Sequence, residues 1–412
     1  MKRYVGLGVV ALTLAIAYGI WYAYSVILVA LLAEFGWSRA TVAGAFSLFT
    51  IVHGGMNPIA GMLCARFRPL RVMAVGGALM GLALYACSYI DSPFALFLFF
   101  GVFTAIAVNL GGWVPSLVFV QHNFQERLGL SIGIVSSGIG VGMIVLVPLT
   151  QLIIDAHGWR AAFKVLAAIA ALWIVPSSLW LRGFMLKQIR ERDRGQTPAK
   201  QNQARSGSDP KTLRQAMRTE PFWLLFACFL FGNICSQTMH VHQVAYLVDN
   251  GVAAIVAASV VGVVGFASIV GKTGGGWLSD RVEREKVYVW GIGILVSAAL
   301  VLLWLGASPT QWTAYFYAVL LGVGYSVTAS IIPAMVSDRF SGPNYGAIVG
   351  ATLIGSALGS AIGPWLAGTL YDATKSYAAP FMIAAACGVV AGWCGWRAWR
   401  LRIRATAVPD PA

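Results

Sequence analysis

The sequence predicts an all-α membrane protein, with twelve transmembrane helices in two six-helix pseudo-symmetric halves. Three observations lead there. The 412 residues are 58% hydrophobic and only 11% charged, against about 45–50% and about 25% in soluble domains. The apolar residues fall into a dozen runs, each near the roughly 20 residues that a bilayer-spanning helix needs. The first six runs are also repeated in the second six. The composition excludes soluble enzyme folds.

The first run, near 6–32, follows Lys2 and Arg3. It is longer than the roughly 7–15 apolar residues of a signal peptide, so it reads as a retained span. The others lie near 40–64, 72–90, 94–120, 128–154, 161–181, 221–248, 255–279, 287–306, 312–336, 346–371 and 378–399. Between the sixth and seventh lies the one long polar segment, whose Pro- and Gly-containing centre reads as a flexible linker. The expected organisation is an N-terminal six-helix bundle at 1–181, a basic linker at 182–220, a C-terminal bundle at 221–404 and a tail at 405–412.

Lys and Arg are distributed unevenly between the two sides. One side holds Lys2, Arg3, Arg66, Arg68, Arg71, Arg127, the linker, Arg281, Arg284, Lys286, Arg339 and the final arginines. The other has only Arg39, Arg160, Lys164 and Lys375. The positive-inside rule then places both termini and the linker in the cytoplasm of a multi-pass inner-membrane protein. The net charge of +14 is thus a topology signal, and no nucleic-acid partner is expected. Cys64, Cys87, Cys228, Cys235, Cys387 and Cys394 lie in or beside apolar runs and offer no disulfide framework or metal-ligand spacing. No metal or cofactor is expected.

The halves match in register. At an offset of 217, Gly129, Gly133, Gly138 and Gly142 fall on Gly346, Gly350, Gly355 and Gly359, and Asp155 falls on Asp372. At 215, Glu34, Gly36, Gly61, Arg66 and Arg71 fall on Asp249, Gly251, Gly276, Arg281 and Lys286. The glycine rows keep small residues along one stripe of the fifth and eleventh spans, which lets neighbouring helices approach and slide.

These features resemble the major facilitator superfamily over essentially the whole chain, since parallel six-helix repeats describe its two halves. The run Gly276-Trp-Leu-Ser-Asp280-Arg281-Val-Glu283-Arg284-Glu285-Lys286 is close to that superfamily's signature between the second and third helices of a half. In the first half, Ala65 stands where the signature has an aspartate. Four further segments resemble the monocarboxylate transporter and oxalate/formate antiporter branch. They are Glu34-Phe-Gly-Trp37-Ser-Arg39, Phe124-Gln-Glu-Arg127-Leu-Gly-Leu-Ser-Ile-Gly133, Gly158-Trp159-Arg160, and the stretch from His240 through His242 and Tyr246 to Gly251. The resemblance implies a transporter working as a monomer, with Gly276, Asp280, Arg281, Gly133 and Gly350 as gating positions.

All fifteen acidic residues fall in loops, tails or span ends, and Lys272 is the one basic residue well inside a span. A lysine at that depth costs roughly 2.5–3.5 kcal/mol on insertion scales. With no acid at its level, its partner should arrive from outside, and an anionic substrate meets that need. The competing reading is a lysine snorkelling toward the interface from eight residues before Asp280, about 12 Å of helix rise. The resemblance adds that the monocarboxylate family carries a carboxylate-binding arginine at the position of Lys272. Animal members also have an aspartate one turn earlier, where this chain has Ser268.

His240 and His242 point about 200° apart on a helix, so one of them at most faces a pocket. His242 shares a face with Cys235, Thr238 and Tyr246, and His240 with Asn233 and Gln237. Resemblance to bacterial relatives favours His242 as the pocket residue. His242 and Lys272 are then the candidates for proton coupling. Tyr18, Tyr22, Asn109, Trp113, Tyr325 and Asn57, the repeat mate of Lys272, are the remaining substrate-binding candidates, supplying placed donors around an anion. His53, the repeat mate of Ser268, is read as a packing residue.

The expected activity is secondary transport of a small monocarboxylate with a proton, by alternating access. No enzyme motif is present. An organic-anion exchanger of the oxalate/formate type is the first alternative, although 346–371 contains no second cation. Efflux of neutral or acidic compounds is another, and a transporter-like sensor is the alternative from a different class.

Overall fold

The computed structural model describes residues 2–123, 128–193, 212–279, 281–306, 310–340 and 345–407. Twelve long helices cross the molecule: α1 (Lys2–Phe35), α2 (Arg39–Phe67), α3 (Pro69–Cys87), α4 (93–123), α5 (128–157), α6 (159–193), α7 (Glu220–Asp249), α8 (Ala254–Ser279), α9 (Arg284–Leu305), α10 (Gln311–Arg339), α11 (Tyr345–Thr374) and α12 (Ala378–Ala407). Among the described residues, ten helical stretches are long and apolar enough to span a bilayer. One of these is α5 and α6 run together through Gly158, and α2 completes the twelve. The expected linker begins inside α6, which continues to Asp193, and ends with a short helix Leu213–Met217. Its residues 194–211 and the tail residues 408–412 lie outside the described residues.

Local chemistry fixes the helix starts. Ser38 accepts from the Thr41 N–H at the head of α2, and Ser92 accepts from the Ala95 N–H where Pro93 opens α4. The turns α1–α2 and α7–α8 are made by Gly36 (φ 62°) and Gly251 (φ 82°), which are repeat mates. Gly158 (φ 79°) turns α5 into α6, and its repeat mate Lys375 also has a positive φ (55°) between α11 and α12. The duplication therefore extends to backbone conformation. These four turns mark what we call the turn side, and the opposite face, where α1 begins and α12 ends, is the tail side.

In α4 the segment Phe97–Thr104 is wound as a π-helix, and the Thr104 hydroxyl donates five residues back to the Phe99 carbonyl at 2.8 Å. This inserts one surplus residue before Asn109.

The glycine stripes close each half internally. A Cβ on Gly138 or Gly142 would lie 2.0 Å from the carbonyl oxygen of Ala11 or Ala15 in α1. A Cβ on Gly355 or Gly359 would lie 2.7 or 2.2 Å from that of Phe226 or Leu230 in α7. The stripes thus seat α5 on α1 and α11 on α7. A separate glycine pair, Gly140 of α5 and Gly265 of α8, brings the two halves together, each Cβ position being 2.6 Å from the other's carbonyl oxygen.

The halves are further joined on the turn side. Ser47 of α2 donates to the Ala361 carbonyl of α11 at 2.6 Å. Asp372 accepts the backbone N–H groups of Arg39 and Ala40, the first residues of α2, at 3.0 and 2.8 Å. The Arg39 guanidinium donates to Asp249 and to the Tyr377 hydroxyl, both at 2.6 Å, and lies 4.1 Å from the Tyr371 ring centroid. The repeat explains this pairing. In the N-terminal half Glu34 is held within its own half by Trp159 and Arg160. Tyr377 occupies the place equivalent to Arg160, so Asp249, the mate of Glu34, takes its arginine from across the interface.

The tail side of the C-terminal half carries a charged knot. Glu285, 1% exposed, meets Arg402 at 3.0 Å and Arg339 at 3.5 Å, while Arg284 donates to Asp338 at 2.5 Å. These contacts bind α9, α10 and α12 together.

Candidate functional site

Lys272 is half-buried on α8. A Cβ on Gly271 would approach the Val323 backbone at 3.0 Å, so the missing side chain lets α10 pack closely and sets Tyr325 beside the lysine. The Lys272 ammonium lies 5.7 Å from the Tyr325 ring centroid, within cation–π range. The His240 ring sits edge-on to Tyr325 at 4.7 Å and 5.2 Å from Tyr22, whose hydroxyl meets that of Tyr325 at 3.5 Å. Among the described residues no carboxylate lies within 4.0 Å of the ammonium. Lys272, Tyr325, His240 and Tyr22 thus form one cluster drawn from both halves.

His240 uses one ring nitrogen and leaves the other without a partner among the described residues. Its Nδ1 lies 2.8 Å from the Ser236 carbonyl oxygen. A carbonyl only accepts, so Nδ1 carries the hydrogen and the neutral ring keeps its lone pair on Nε2. That atom is buried and has no partner.

His242 lies elsewhere, which corrects its expected placement. Its Nε2 is 2.9 Å from the Pro364 carbonyl oxygen and its Nδ1 is 3.0 Å from the Tyr377 hydroxyl. By the same logic, Nε2–H donates to Pro364 and Tyr377 donates to Nδ1 of the neutral ring while accepting from Arg39. Both nitrogens of His242 are occupied in bracing the turn-side junction, and it is His240 that lies beside Tyr325. Helical geometry limits the pocket to one of the two histidines, but the choice between them depends on where α10 packs.

The N-terminal half supplies a second cluster. Asn109 of α4 donates through Nδ2 to Asn57 Oδ1 at 2.7 Å and to the His53 carbonyl at 2.8 Å. Tyr18 stacks on Trp21 at 5.6 Å, and Trp21 meets the His53 ring edge-on at 4.9 Å. Trp113 packs with Tyr18 against the apolar cluster of Leu7, Leu14, Phe119 and Leu181. Trp21 and His53 belong to this polar group although sequence reasoning placed neither there. Tyr18 lies one turn before Tyr22, so α1 links the two clusters.

The proposed gating positions are dispersed. Gly133, Gly276 and Gly350, all toward the tail side, face open space within 4 Å. The Arg281 guanidinium lies over Trp277 at 3.9 Å, and Asp280 is outside the described residues. Two surface crevices occur away from Lys272. One of about 450 Å³, lined by Gly44, Ser47, Phe97 and Trp365, is largely apolar, and one of about 400 Å³ lies beside Asp249, Lys375 and Tyr377. Neither contains the two polar clusters.

Comparison with known proteins agrees with this architecture. The Major Facilitator Superfamily profile matches residues 10–273 and 241–411. Monocarboxylate transporter 4 of Rattus norvegicus is 25% identical over 367 residues, covering 88% of this chain and 76% of that protein. Monocarboxylate transporter 13 of Bos taurus is 25% identical over 381 residues, covering 90% and 83%. Among solved structures, a bacterial homolog of the human lysosomal transporter Spinster, in an inward-facing and unoccupied conformation, superposes with a TM-score of 0.71. It shares 16% identity, with 100% of this chain and 99% of that one covered, a likeness of fold. The chain belongs to the Major Facilitator Superfamily and is a multi-pass membrane transporter, not an enzyme.

Proposed function

We propose that the protein carries a small monocarboxylate together with a proton by alternating access, as a monomer in the inner membrane with both termini in the cytoplasm. The observation that carries this reading is the Lys272 ammonium, facing Tyr325 and His240 with no protein carboxylate as partner among the described residues. A half-buried cation within a membrane span and without a counter-ion is costly, and a substrate carboxylate supplies the missing charge. The similarity to monocarboxylate transporters points the same way.

His240 replaces His242 as the proton-coupling candidate. A proton on its Nε2 makes both ring nitrogens donors, one held by Ser236 and the other available to the substrate carboxylate. A carboxylate seated between Lys272 and a protonated His240 pairs with both, so substrate and proton favour each other's binding. The junctions described between the halves lie at the turn side and mid-depth, while tail-side glycines face open space. This arrangement supports a conformation open toward the cytoplasm, the conformation named for the Spinster homolog.

The test is uptake of labelled lactate into proteoliposomes. Lys272→Ala should abolish uptake and Lys272→Arg should keep part of it. Equal activity in all three forms would discredit the site. His240→Gln should lose accumulation driven by a pH gradient and retain counterflow. Wild-type uptake indifferent to the gradient would remove the proton from the scheme. Labelled oxalate and formate counterflow decides against or for exchange; one fixed cation favours one carboxylate.

A further inference from the structure

Of the buried polar atoms in the N-terminal half without a hydrogen-bond partner among the described residues, three belong to neighbouring residues: Trp21 Nε1, His53 Nε2 and Asn109 Oδ1. The residues adjoin through the 4.9 Å Trp21–His53 ring contact and the 2.8 Å bond from the Asn109 side chain to the His53 backbone carbonyl. The three residues are 9%, 9% and 1% exposed. Native interiors leave few such atoms unpaired, and each costs about 1–3 kcal/mol. A cluster of them at mid-membrane calls for a ligand.

The duplication locates this cluster relative to Lys272. Asn57 is the repeat mate of Lys272, and His53 is that of Ser268 one turn earlier. Asn109 falls opposite Tyr325, at an offset of 216. The Asn57–Asn109 pair therefore occupies in one half the place that Lys272 and Tyr325 occupy in the other. Within α1, Tyr22 touches Tyr325 and His240, and its neighbours Trp21 and Tyr18 pack around His53.

We propose that Trp21, His53 and Asn109 form a second substrate subsite that recognises a hydroxyl group on the carboxylate held by Lys272. The inference rests on the carboxylate reading of Lys272 and adds the identity of the substrate's other end. The indole N–H only donates, the amide oxygen only accepts, and His53 Nε2 does either according to tautomer. A hydroxyl both donates and accepts, so it satisfies both fixed partners. A ketone only accepts and leaves Asn109 Oδ1 unpaired, and a methylene leaves every group unpaired. An ammonium group only donates and wants an acid, and the interiors of α1, α2 and α4 contain none. The predicted order of preference is hydroxy acid, then oxo acid, then alkanoic acid.

The test is ligand binding to the full-length protein in nanodiscs, by calorimetry, with two series of probes. One is lactate, pyruvate and propionate; the other is 3-hydroxybutyrate, acetoacetate and butyrate. The hydroxy acid of at least one series should bind about tenfold more tightly than its deoxy analogue. Trp21→Phe and Asn109→Leu should each bring that ratio toward one, whereas Lys272→Ala should weaken all members of a series together. Equal wild-type binding within both series, or an unaltered ratio in both variants, overturns the subsite while leaving the anchor standing. If no acid binds, the carboxylate reading fails and takes the subsite with it. If a variant does not fold, the wild-type order across the two series still decides.

Discussion

The proposed alternating access requires the turn-side junction to part, and Asp372→Asn isolates its central element. Asp372 caps α2 with both carboxylate oxygens, accepting from Arg39 N at 3.0 Å and Ala40 N at 2.8 Å. Asparagine keeps the shape but offers one acceptor, so one of the two N–H groups would face an NH2. Hydrogen bonds to charged groups contribute about 1.5–3 kcal/mol, and a carboxylate at a helix N-terminus adds about 0.3–1 kcal/mol. Discounting for partial exposure leaves about 2 kcal/mol of lost closure, a roughly thirtyfold rise in the turn-side-open population while that population is small. Spin labels at the exposed positions Asp91 and Gln311, in a background without native cysteines, report the separation of the halves by pulsed electron resonance. A longer distance should gain weight in Asp372→Asn. Its repeat mate Asp155 bonds Gln151 within its own helix, so Asp155→Asn is the control that leaves the distribution alone. A distribution for Asp372→Asn that superposes on the wild type, or an equal shift in the control, would refute the reasoning.

Three further outcomes concern stability. Gly142→Ala places a Cβ 2.0 Å from the Ala15 carbonyl oxygen, so overpacking of about 1–3 kcal/mol should lower the melting temperature clearly, whereas Gly133→Ala, in open space, should not. Lys375→Gly relieves a left-handed backbone and should stabilise by about 1 kcal/mol, read as a higher melting temperature. Glu285→Gln removes the charge shared by Arg339 and Arg402; a loss of about 3 kcal/mol is expected, and high salt should restore part of it.

Much of the fold was legible because a membrane span announces itself by length and composition, and the duplication is written in glycines and acids at fixed offsets. Lys272 was legible by elimination, as the one cation deep in a span. The histidine choice was not. A 200° separation along α7 says that His240 and His242 face apart, but not which of them meets Tyr325. The turn-side junction was also hidden, since Arg39 meets partners 210 and 333 residues away and each partner looks like an ordinary loop acid. Trp21 and His53 carry no signal of their own in an aromatic-rich chain. Their unpaired nitrogens become visible only once the neighbours are in place.

The π-wound stretch of α4 has a consequence for how this protein tolerates change. The run Phe-Leu-Phe-Phe-Gly-Val-Phe-Thr is almost uniformly apolar and gives no outward sign of its extra residue. If the same eight residues wound as an ordinary α-helix, everything beyond them would swivel by about 100°. Asn109 would leave Asn57, and Trp113 would leave its packing, although no residue in contact with either had been altered. The winding at this one spot therefore acts as an alignment screw for the carrier's interior, so losing one residue here, which also removes the surplus, should do less harm than losing one elsewhere in α4.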